Sequence, residues 1–191
     1  MIITNNFKPQ IWIIAGVNGS GKTSFANKYL RGKLAIINPD EIAIQSNINP
    51  VSAGKESLLL RQKFLEQKIS FAIETTLSGI NEINFIQQCK KQGYKINFVY
   101  LYLNSEYLSY ARVKQRVENN GHDIPTKDIK RRYERSINNF INIKNISDRT
   151  WLLDNSYIKT KLIYSIVNQK IKFISSNINN KIKNIFSLNE R

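Results

Sequence analysis

The chain has 191 residues, 41% of them hydrophobic, and its 29 basic and 14 acidic side chains give a formal net charge of +15. This length and hydrophobic content fit one well-buried domain. No apolar stretch approaches the ~20 residues that a membrane-spanning helix needs, and no secretory signal is expected at the N-terminus. The single Cys excludes an internal disulfide, and one Cys with one His argues against a structural zinc site. We therefore expect a cytoplasmic protein.

Short apolar runs alternate with longer amphipathic ones along the chain, which is typical of βαβ units that build a parallel sheet. Most of the short runs are apolar throughout, as strands covered on both faces are. The predicted strands are residues 11–15, 34–37, 71–73, 96–103 and 151–153. The predicted helices are residues 24–30, 55–68, 82–92, 105–118 and 127–144. The pattern predicts an α/β fold with a five-stranded, mostly parallel sheet flanked by helices.

Finer features of these elements can also be predicted. In the helix over 55–68 the apolar residues Leu58, Leu59, Phe64 and Leu65 are expected to face inward, and Thr126 is a suitable N-cap for the last helix. Residues 159–191 are rich in Lys, Ile and Asn, and are predicted to form one or two terminal helices with a solvated basic face. We assign residues 1–158 to a catalytic domain and 159–191 to a basic helical extension of it.

Residues 16–23 read Gly-Val-Asn-Gly-Ser-Gly-Lys-Thr directly after the first predicted strand. This is a complete GxxxxGK[ST] phosphate-binding loop, or P-loop, between the strand and helix that the motif requires. Its backbone N–H groups and the N-terminal end of the following helix are expected to face phosphate oxygens. Lys22 would then reach the β- and γ-phosphates and Thr23 would ligate Mg²⁺. The predicted ATP- or GTP-binding residues are Gly16, Asn18, Gly19, Ser20, Gly21, Lys22, Thr23 and Ser24.

Two acidic residues follow predicted strands near this loop, at the edge where α/β sheets bind ligands. Asp40 comes after the second strand and either caps the next helix or accepts the proton of an attacking hydroxyl. Glu74 ends the third strand, beside Thr75 and Thr76, and either holds Mg²⁺ through water, contacts the acceptor or is a solvated strand end. For Glu74 the functional interpretation is preferred.

Arginines flank a segment, residues 119–125, that contains Gly and Pro and that we interpret as the tip of a helical lid. Arg112 and Arg116 lie four residues apart and so share a helix face, while Arg131 and Arg132 begin the next helix. Nearby cations neutralise the charge that a transferring phosphoryl group develops. Each arginine alone also fits a solvated basic face, but their clustering favours a catalytic role for Arg116 and for one of Arg131 and Arg132.

Several sequence blocks accompany the P-loop, and together they are more specific than the loop alone. The blocks are Asn-Pro-Asp-Glu at 38–41, Ala-Ile-Glu-Thr-Thr-Leu-Ser-Gly at 72–79, Arg-Val-x-x-Arg-Val at 112–117, Gly-His-Asp-Ile-Pro at 121–125 and Arg-Arg-Tyr at 131–133. With these blocks the chain resembles the zeta toxin family of bacterial kinases, in its short stand-alone form, over about residues 10–156. The resemblance implies transfer of the γ-phosphate of ATP or GTP to a sugar hydroxyl of UDP-N-acetylglucosamine.

The same resemblance implies roles for individual residues. Asp40 is the base, Lys22 and Thr23 handle phosphate and Mg²⁺, and Arg116 stabilises the transferred charge. Because a second lid arginine of the family falls near His122, its role would pass to Arg131 or Arg132. The residues expected to bind the acceptor are Glu74, Thr75, Thr76, Arg112, His122 and Arg131. His122 equally fits a residue that orders a turn.

Partners and alternatives also follow from the sequence. Related toxins have a small helical antitoxin that blocks the nucleotide site, so a cognate antitoxin is a candidate partner. A polynucleotide or tRNA kinase is the second hypothesis, with the basic tail and Tyr100, Tyr102, Tyr107 and Tyr110 as the strand-binding surface. The third is a non-catalytic module that binds nucleotide and acts through protein contacts. A nucleotide-sugar acceptor is favoured over nucleic acid, and no membrane partner is expected.

Overall fold

A computed structural model of the chain describes residues 8–118, 124–178 and 180–188. Its strands form one sheet with the order β2-β3-β1-β4-β5-β6-β7. The strands are β1 Gln10–Ala15, β2 Ala35–Ile37, β3 Phe71–Thr75, β4 Lys95–Tyr102, β5 Arg149–Asp154, β6 Lys161–Val167 and β7 Lys170–Ile174. The helices are α1 Lys22–Tyr29, α2 Pro39–Gln45, α3 Pro50–Glu66, α4 Ile80–Lys91, α5 Glu106–Glu118, α6 Thr126–Ile146 and α7 Asn180–Ile185. None of the described helices is long and apolar enough to cross a bilayer.

The five predicted strands are all present as β1 to β5, and every neighbouring pair among them is parallel. Their runs are apolar throughout because both sheet faces are covered, so that Ile13 belongs to one core cluster and its neighbour Ile14 to another. All five residues of β3 are buried. The carboxyl ends of β1, β2 and β3 therefore meet at one edge of the sheet, where the chain leaves each strand.

Helix α3 differs from its prediction in where it begins and in which face it buries. It begins at Pro50, where Asn49 caps it by accepting a hydrogen bond from the backbone N–H of Ser52 at 2.9 Å. Leu58 and Leu59 are 56% and 71% exposed, so the expectation that they face inward is wrong. The buried face is instead a repeat of every fourth residue: Ala53, Ser57, Arg61 and Leu65.

The predicted N-cap at Thr126 is also wrong. Thr126 is the first residue of α6, its N-cap is Pro125, and no side chain makes a capping hydrogen bond there. The backbone N–H of Asp128 bonds instead to the carbonyl of Pro125 at 2.8 Å.

The prediction that residues 159–191 are helical is wrong for most of the segment. Strands β6 and β7 form an antiparallel hairpin that extends the sheet from β5. Asn168 and Gln169 form its turn with φ of 49° and 62°, the left-handed geometry that matches the twist of two-residue hairpins. The β-branched residues of β6 favour a strand, and its central residues are buried against the sheet.

A short terminal helix, α7, does follow the hairpin, as expected for part of this segment. Just beyond it Phe186 is fully buried, with its ring centroid 4.8 Å from that of Phe140 on α6. The buried Lys144 donates to the carbonyl of Ser187 at 2.7 Å. The end of the described chain is thus packed into the same core as the parallel sheet.

Candidate active site

A cleft of about 730 Å³ opens at the carboxyl ends of β1, β2 and β3. Residues of α2, α3 and α4 line one side of it, and residues of α5 and α6 line another. The P-loop forms part of its wall through Asn18, Gly19, Gly21, Lys22, Thr23 and Ser24. Gly16 and Ser20, the other predicted nucleotide-binding residues, are buried behind this wall.

The loop has a backbone that only glycine permits at two of its positions. Gly16 has φ of 147°, and a Cβ there would collide with the carbonyl oxygen of Leu101 in β4. Gly21 has φ of 90° and is the N-cap of α1, and a Cβ there would lie 2.6 Å from the side-chain nitrogen of Asn155. These glycines let the chain pass closely between β4 and the segment after β5 before it turns into α1.

Side chains from outside the loop hold three of its successive carbonyl groups. Ser109 Oγ donates to the carbonyl of Asn18 at 2.6 Å, and Arg112 Nη1 donates to that of Gly19 at 3.4 Å. Asn155 Nδ2 donates to the carbonyl of Ser20 at 2.8 Å. Sequence reasoning missed Ser109 and Asn155. Asn155 had a usable signal, since it directly follows β5 at the edge where ligands bind.

Lys22 lies at the centre of the charged groups in the cleft. Its Nζ donates to the carbonyls of Gly16 and Val17 at 2.8 and 3.0 Å. Burial lowers the pKa of Lys22 to about 8, Glu74 and Asp40 raise it, and Arg116 and Arg132 lower it. The structure therefore brings together the four residues predicted as catalytic, Asp40, Lys22, Arg116 and Arg132, and adds Glu74 to them.

Glu74 and Thr23 form a pair of oxygen-bearing side chains next to Lys22. Thr23 Oγ1 donates to Glu74 Oε2 at 2.7 Å, while the buried Oε1 has no hydrogen-bond partner among the described residues. Burial raises the pKa of Glu74, and the hydrogen bond from Thr23, the charge of Lys22 and the side chain of Asn38 oppose that rise.

This pair fits Mg²⁺, which binds nucleotides through few protein oxygens and keeps several waters and phosphate ligands. Within the described ranges no three His, Cys, Asp or Glu residues gather to hold a metal. A magnesium ion that takes most of its ligands from phosphates and water agrees with that finding.

Asp40 does not act as the helix cap that one interpretation assigned to it. Asn38 caps α2 instead, because its Oδ1 accepts a hydrogen bond from the backbone N–H of Asp40 at 3.0 Å. The carboxylate of Asp40 is exposed and lines the cleft. A group in that position is accessible to a hydroxyl held in the cleft.

Residues after Glu74 continue the cleft wall in a tight turn. Thr75 Oγ1 accepts from the backbone N–H of Leu77 at 2.9 Å, which engages this hydroxyl in the turn. Leu77 is buried, has φ of 56°, and its carbonyl accepts from Asn139 Nδ2 at 2.9 Å. Thr76 and Ser78 share a 2.9 Å hydrogen bond and both line the cleft. Of the two predicted threonines, Thr76 is the better placed to contact a ligand.

Of the four arginines predicted to act on the substrate from α5 and α6, three face the cleft and one does not. Arg112, Arg116 and Arg132 line the cleft. Arg131 is 53% exposed, bonds to Asp128 at 2.7 Å and lies outside the cleft lining, so its expected contact with substrate is not supported. Arg132 is therefore the α6 arginine that faces the cleft. His122 lies outside the described residues.

Comparison with known proteins gives matches that cover most of this architecture. The family model described as Zeta toxin matches residues 56–166, more than half of the chain. An uncharacterized protein of Haemophilus influenzae is 30% identical over 138 residues, which covers 66% of this chain and 99% of that protein.

Solved structures show the same fold. A crystal structure of AvrRxo1-ORF1:AvrRxo1-ORF2 with sulphate ions has a TM-score of 0.68 at 17% identity and covers 95% of this chain. The chain spans 64% of the length of that protein. A structure of the PezAT chromosomal toxin-antitoxin system of Streptococcus pneumoniae has a TM-score of 0.60 at 17% identity. The match covers 95% of this chain and 84% of the PezAT chain. The fold is that of the P-loop kinases, and the Zeta toxin match supports a nucleotide-dependent phosphotransferase.

Proposed function

The chain belongs to the zeta toxin family, and we propose that it is a kinase that transfers the γ-phosphate of ATP or GTP to a hydroxyl of a small acceptor, with UDP-N-acetylglucosamine as the proposed acceptor. The observation that carries this proposal is the gathering of Asp40, Lys22, Glu74, Arg116 and Arg132 at one cleft beside the P-loop. A base, a phosphate-binding lysine and two guanidinium groups are the parts that phosphoryl transfer requires.

In the proposed reaction, the acceptor hydroxyl oxygen attacks the γ-phosphorus and forms a new P–O bond. The bond to the bridging oxygen of the β-phosphate breaks, and the nucleoside diphosphate leaves. The proton of the hydroxyl passes to the Asp40 carboxylate. Lys22, Arg116 and Arg132 stabilise the charge that develops on the phosphoryl oxygens.

Thr23 and Glu74 are the proposed protein ligands of Mg²⁺, directly or through water. When bound, the ion neutralises charge on the phosphate oxygens. The unpartnered Oε1 of Glu74 and the adjacent Thr23 hydroxyl support this assignment.

A cognate antitoxin is the proposed protein partner. Support comes from membership in a toxin family and from the similarity of this fold to a structure of the PezAT toxin-antitoxin system. We also propose a cytoplasmic location, because both substrates of the proposed reaction are nucleotides of the cytoplasm.

The structure does not favour the polynucleotide kinase hypothesis. Two of the four tyrosines proposed to stack on bases are buried, with Tyr100 fully inaccessible and Tyr102 4% exposed. The hydroxyl of Tyr100 shares a 2.8 Å hydrogen bond with Ser136 in the core. The basic segment after residue 159 contributes a hairpin to the sheet, and it does not form the predicted helical surface.

The proposal is tested by incubating the protein with γ-labelled ATP, Mg²⁺ and separate pools of nucleotide sugars, RNA and small metabolites. Label is expected in the nucleotide-sugar pool, and Lys22→Ala should give none. Label in the RNA pool instead would show that the acceptor is a nucleic acid and not a nucleotide sugar. Nucleotide binding without label in any pool would favour the non-catalytic module.

A further inference from the structure

Arg61 is a cleft residue for which the proposed transfer reaction has no use. It lies on the buried face of α3, is 4% exposed, and is one of the residues that line the cleft. Its Cζ lies 5.8 Å from the centroid of the Phe85 ring of α4, so the aromatic ring covers one side of the charge.

The charge of Arg61 lacks the partner that a buried guanidinium normally has. Its Nε is buried without a hydrogen-bond partner, and no ion pair joins Arg61 to a carboxylate of the described residues. Burial lowers the pKa of Arg61, and the charge of Glu82 opposes this effect. A buried ion without a direct partner destabilises a fold, so a residue of this kind points to a ligand that completes it.

Arg61 is also separate from the cationic groups that surround the triphosphate site. The charges that act on Lys22 are those of Glu74, Asp40, Arg116 and Arg132, and Arg61 is not among them. The charge that acts on Arg61 is instead that of Glu82 on α4. It therefore belongs to the part of the cleft formed by α3, α4 and the turn after β3, where Thr76 and Ser78 also lie.

The whole cleft has an excess of positive charge. Five cations line it (Lys22, Arg61, Arg112, Arg116 and Arg132) against three acids (Asp40, Glu74 and Glu82), which gives 5 − 3 = +2 among the described lining residues. A triphosphate accounts for the cations near Lys22. Glu82 balances the formal charge of Arg61 without a direct bond to it, so the unpartnered Nε of Arg61, and not the net charge, points to a further anionic ligand.

We propose that Arg61 binds an anionic group, a phosphate or a carboxylate, that the acceptor carries away from the hydroxyl it presents to Asp40. This inference rests on the proposed kinase function and adds Arg61 as the residue that selects acceptors with a negatively charged group. The planar guanidinium suits bidentate binding of such a group. A neutral alcohol would leave the charge of Arg61 buried and unpaired, and would therefore be rejected.

The first test measures anion binding without catalysis. Inorganic pyrophosphate is titrated by calorimetry into protein saturated with Mg²⁺ and a non-hydrolysable ATP analogue. Arg61→Met should weaken pyrophosphate binding by about 10- to 100-fold, the range for a lost charge-assisted contact, and leave affinity for the ATP analogue unchanged. Arg135→Met is the matched control, because Arg135 is exposed and outside the cleft lining, and it should bind as the wild type does.

Equal pyrophosphate affinity in the wild type and Arg61→Met, or no binding by the wild type, would overturn the proposal.

Thermal unfolding supplies a readout that separates binding from structure. Arg61→Met should melt at the same temperature as the wild type or higher, since it removes a buried unpaired charge. A structural arginine would give a lower melting temperature. Arg61→Lys keeps the positive charge but loses the planar guanidinium that can donate two parallel hydrogen bonds, so its pyrophosphate affinity should be several-fold weaker. If Arg61→Met does not fold, this variant decides the question, and an unchanged affinity in Arg61→Lys contradicts the proposal.

The second test separates this inference from the kinase proposal. With UDP-N-acetylglucosamine as acceptor, Arg61→Met should raise the acceptor KM by about 10- to 100-fold at nearly constant kcat. Transfer with an unchanged KM overturns the anion site and retains the kinase. Pyrophosphate binding that depends on Arg61, without transfer to any nucleotide sugar, retains the anion site and overturns the kinase acceptor.

Discussion

The two halves of the cleft are built from different parts of the chain. The donor half is the P-loop, a backbone structure whose carbonyls at residues 18–20 are held by Ser109, Arg112 and Asn155. The proposed acceptor half consists of side chains that line the same cleft, among them Arg61 on α3 and Thr76 and Ser78 after β3. Backbone amides bind any triphosphate, whereas side chains select one acceptor. The difference explains how one fold can keep its donor and change its acceptor.

Asp40 is the proposed base of the reaction, and its loss should have the largest effect. Asp40→Asn preserves the shape of the side chain and removes the base, so kcat should fall by about 10² to 10⁴. ATP affinity should stay nearly constant, because the P-loop does not depend on this carboxylate. Steady-state kinetics and a nucleotide-binding assay on one preparation check both expectations. An unchanged transfer rate would remove Asp40 from the mechanism.

Arg131 and Arg132 are a matched pair, adjacent in sequence and different in position. Arg132→Ala removes a cation that lines the cleft, and kcat should fall by about 10- to 1,000-fold, as when an enzyme loses one donor to transition-state charge. Arg131→Ala breaks only the exposed bond to Asp128 and should leave kcat within about twofold. Equal losses of kcat in the two variants would show that catalysis depends on the total positive charge near the cleft and not on the position of Arg132.

Lys22 makes the donor half sensitive to pH. Since burial lowers its pKa from 10.5 to about 8, Lys22 loses its charge as pH rises through 8, and affinity for ATP should decline by up to about tenfold per pH unit. Between pH 8 and 10.5 the unfolded chain binds more protons at this residue than the folded chain. The contribution of Lys22 to the free energy of unfolding should therefore increase with pH in that window.

Nucleotide binding and denaturant unfolding between pH 7 and 10 measure both trends. Lys22→Arg is the control, because its guanidinium stays charged throughout this range. A decline in ATP affinity that is identical in the wild type and Lys22→Arg would assign the effect to another group.

Asn155 should have the smallest effect of this set, because it acts on the loop and not on the ligand. Asn155→Ala removes its hydrogen bond to the carbonyl of Ser20, a contribution of about 1 kcal/mol, and the KM for ATP should rise several-fold. The acceptor KM should not change. A rise in the acceptor KM alone would contradict the division of the cleft into two halves.

The donor half could be predicted from the sequence because its signals are local. The P-loop has fixed residues at fixed spacing, and β1 and β3 are apolar runs because both of their faces are covered. The acceptor half depends on rotation about helix axes. One residue step turns a helix by about 100°, which decides that Arg132 faces the cleft while Arg131 faces solvent. Sequence spacing alone left that choice open.

Arg61 and the C-terminal hairpin show a second limit of prediction from the sequence, which comes from the amino-acid composition of the chain. In a chain with 29 basic residues, one more arginine on a helix resembles a solvated side chain. The signal that marks Arg61 is the buried repeat of Ala53, Ser57 and Leu65, which two neighbouring leucines obscured. In the hairpin, the abundance of Ile, Asn and Lys hid both the β-branched residues of β6 and the turn at Asn168.

The most direct test of the central claim is the balance between transfer and hydrolysis. The protein is incubated with ATP, Mg²⁺ and UDP-N-acetylglucosamine, and ADP, free phosphate and phosphorylated acceptor are quantified in the same samples. The cleft described above predicts one phosphorylated acceptor for each ADP and little free phosphate, because the acceptor hydroxyl and not water receives the phosphoryl group. ADP and free phosphate in equal amounts, with no phosphorylated acceptor, would contradict it.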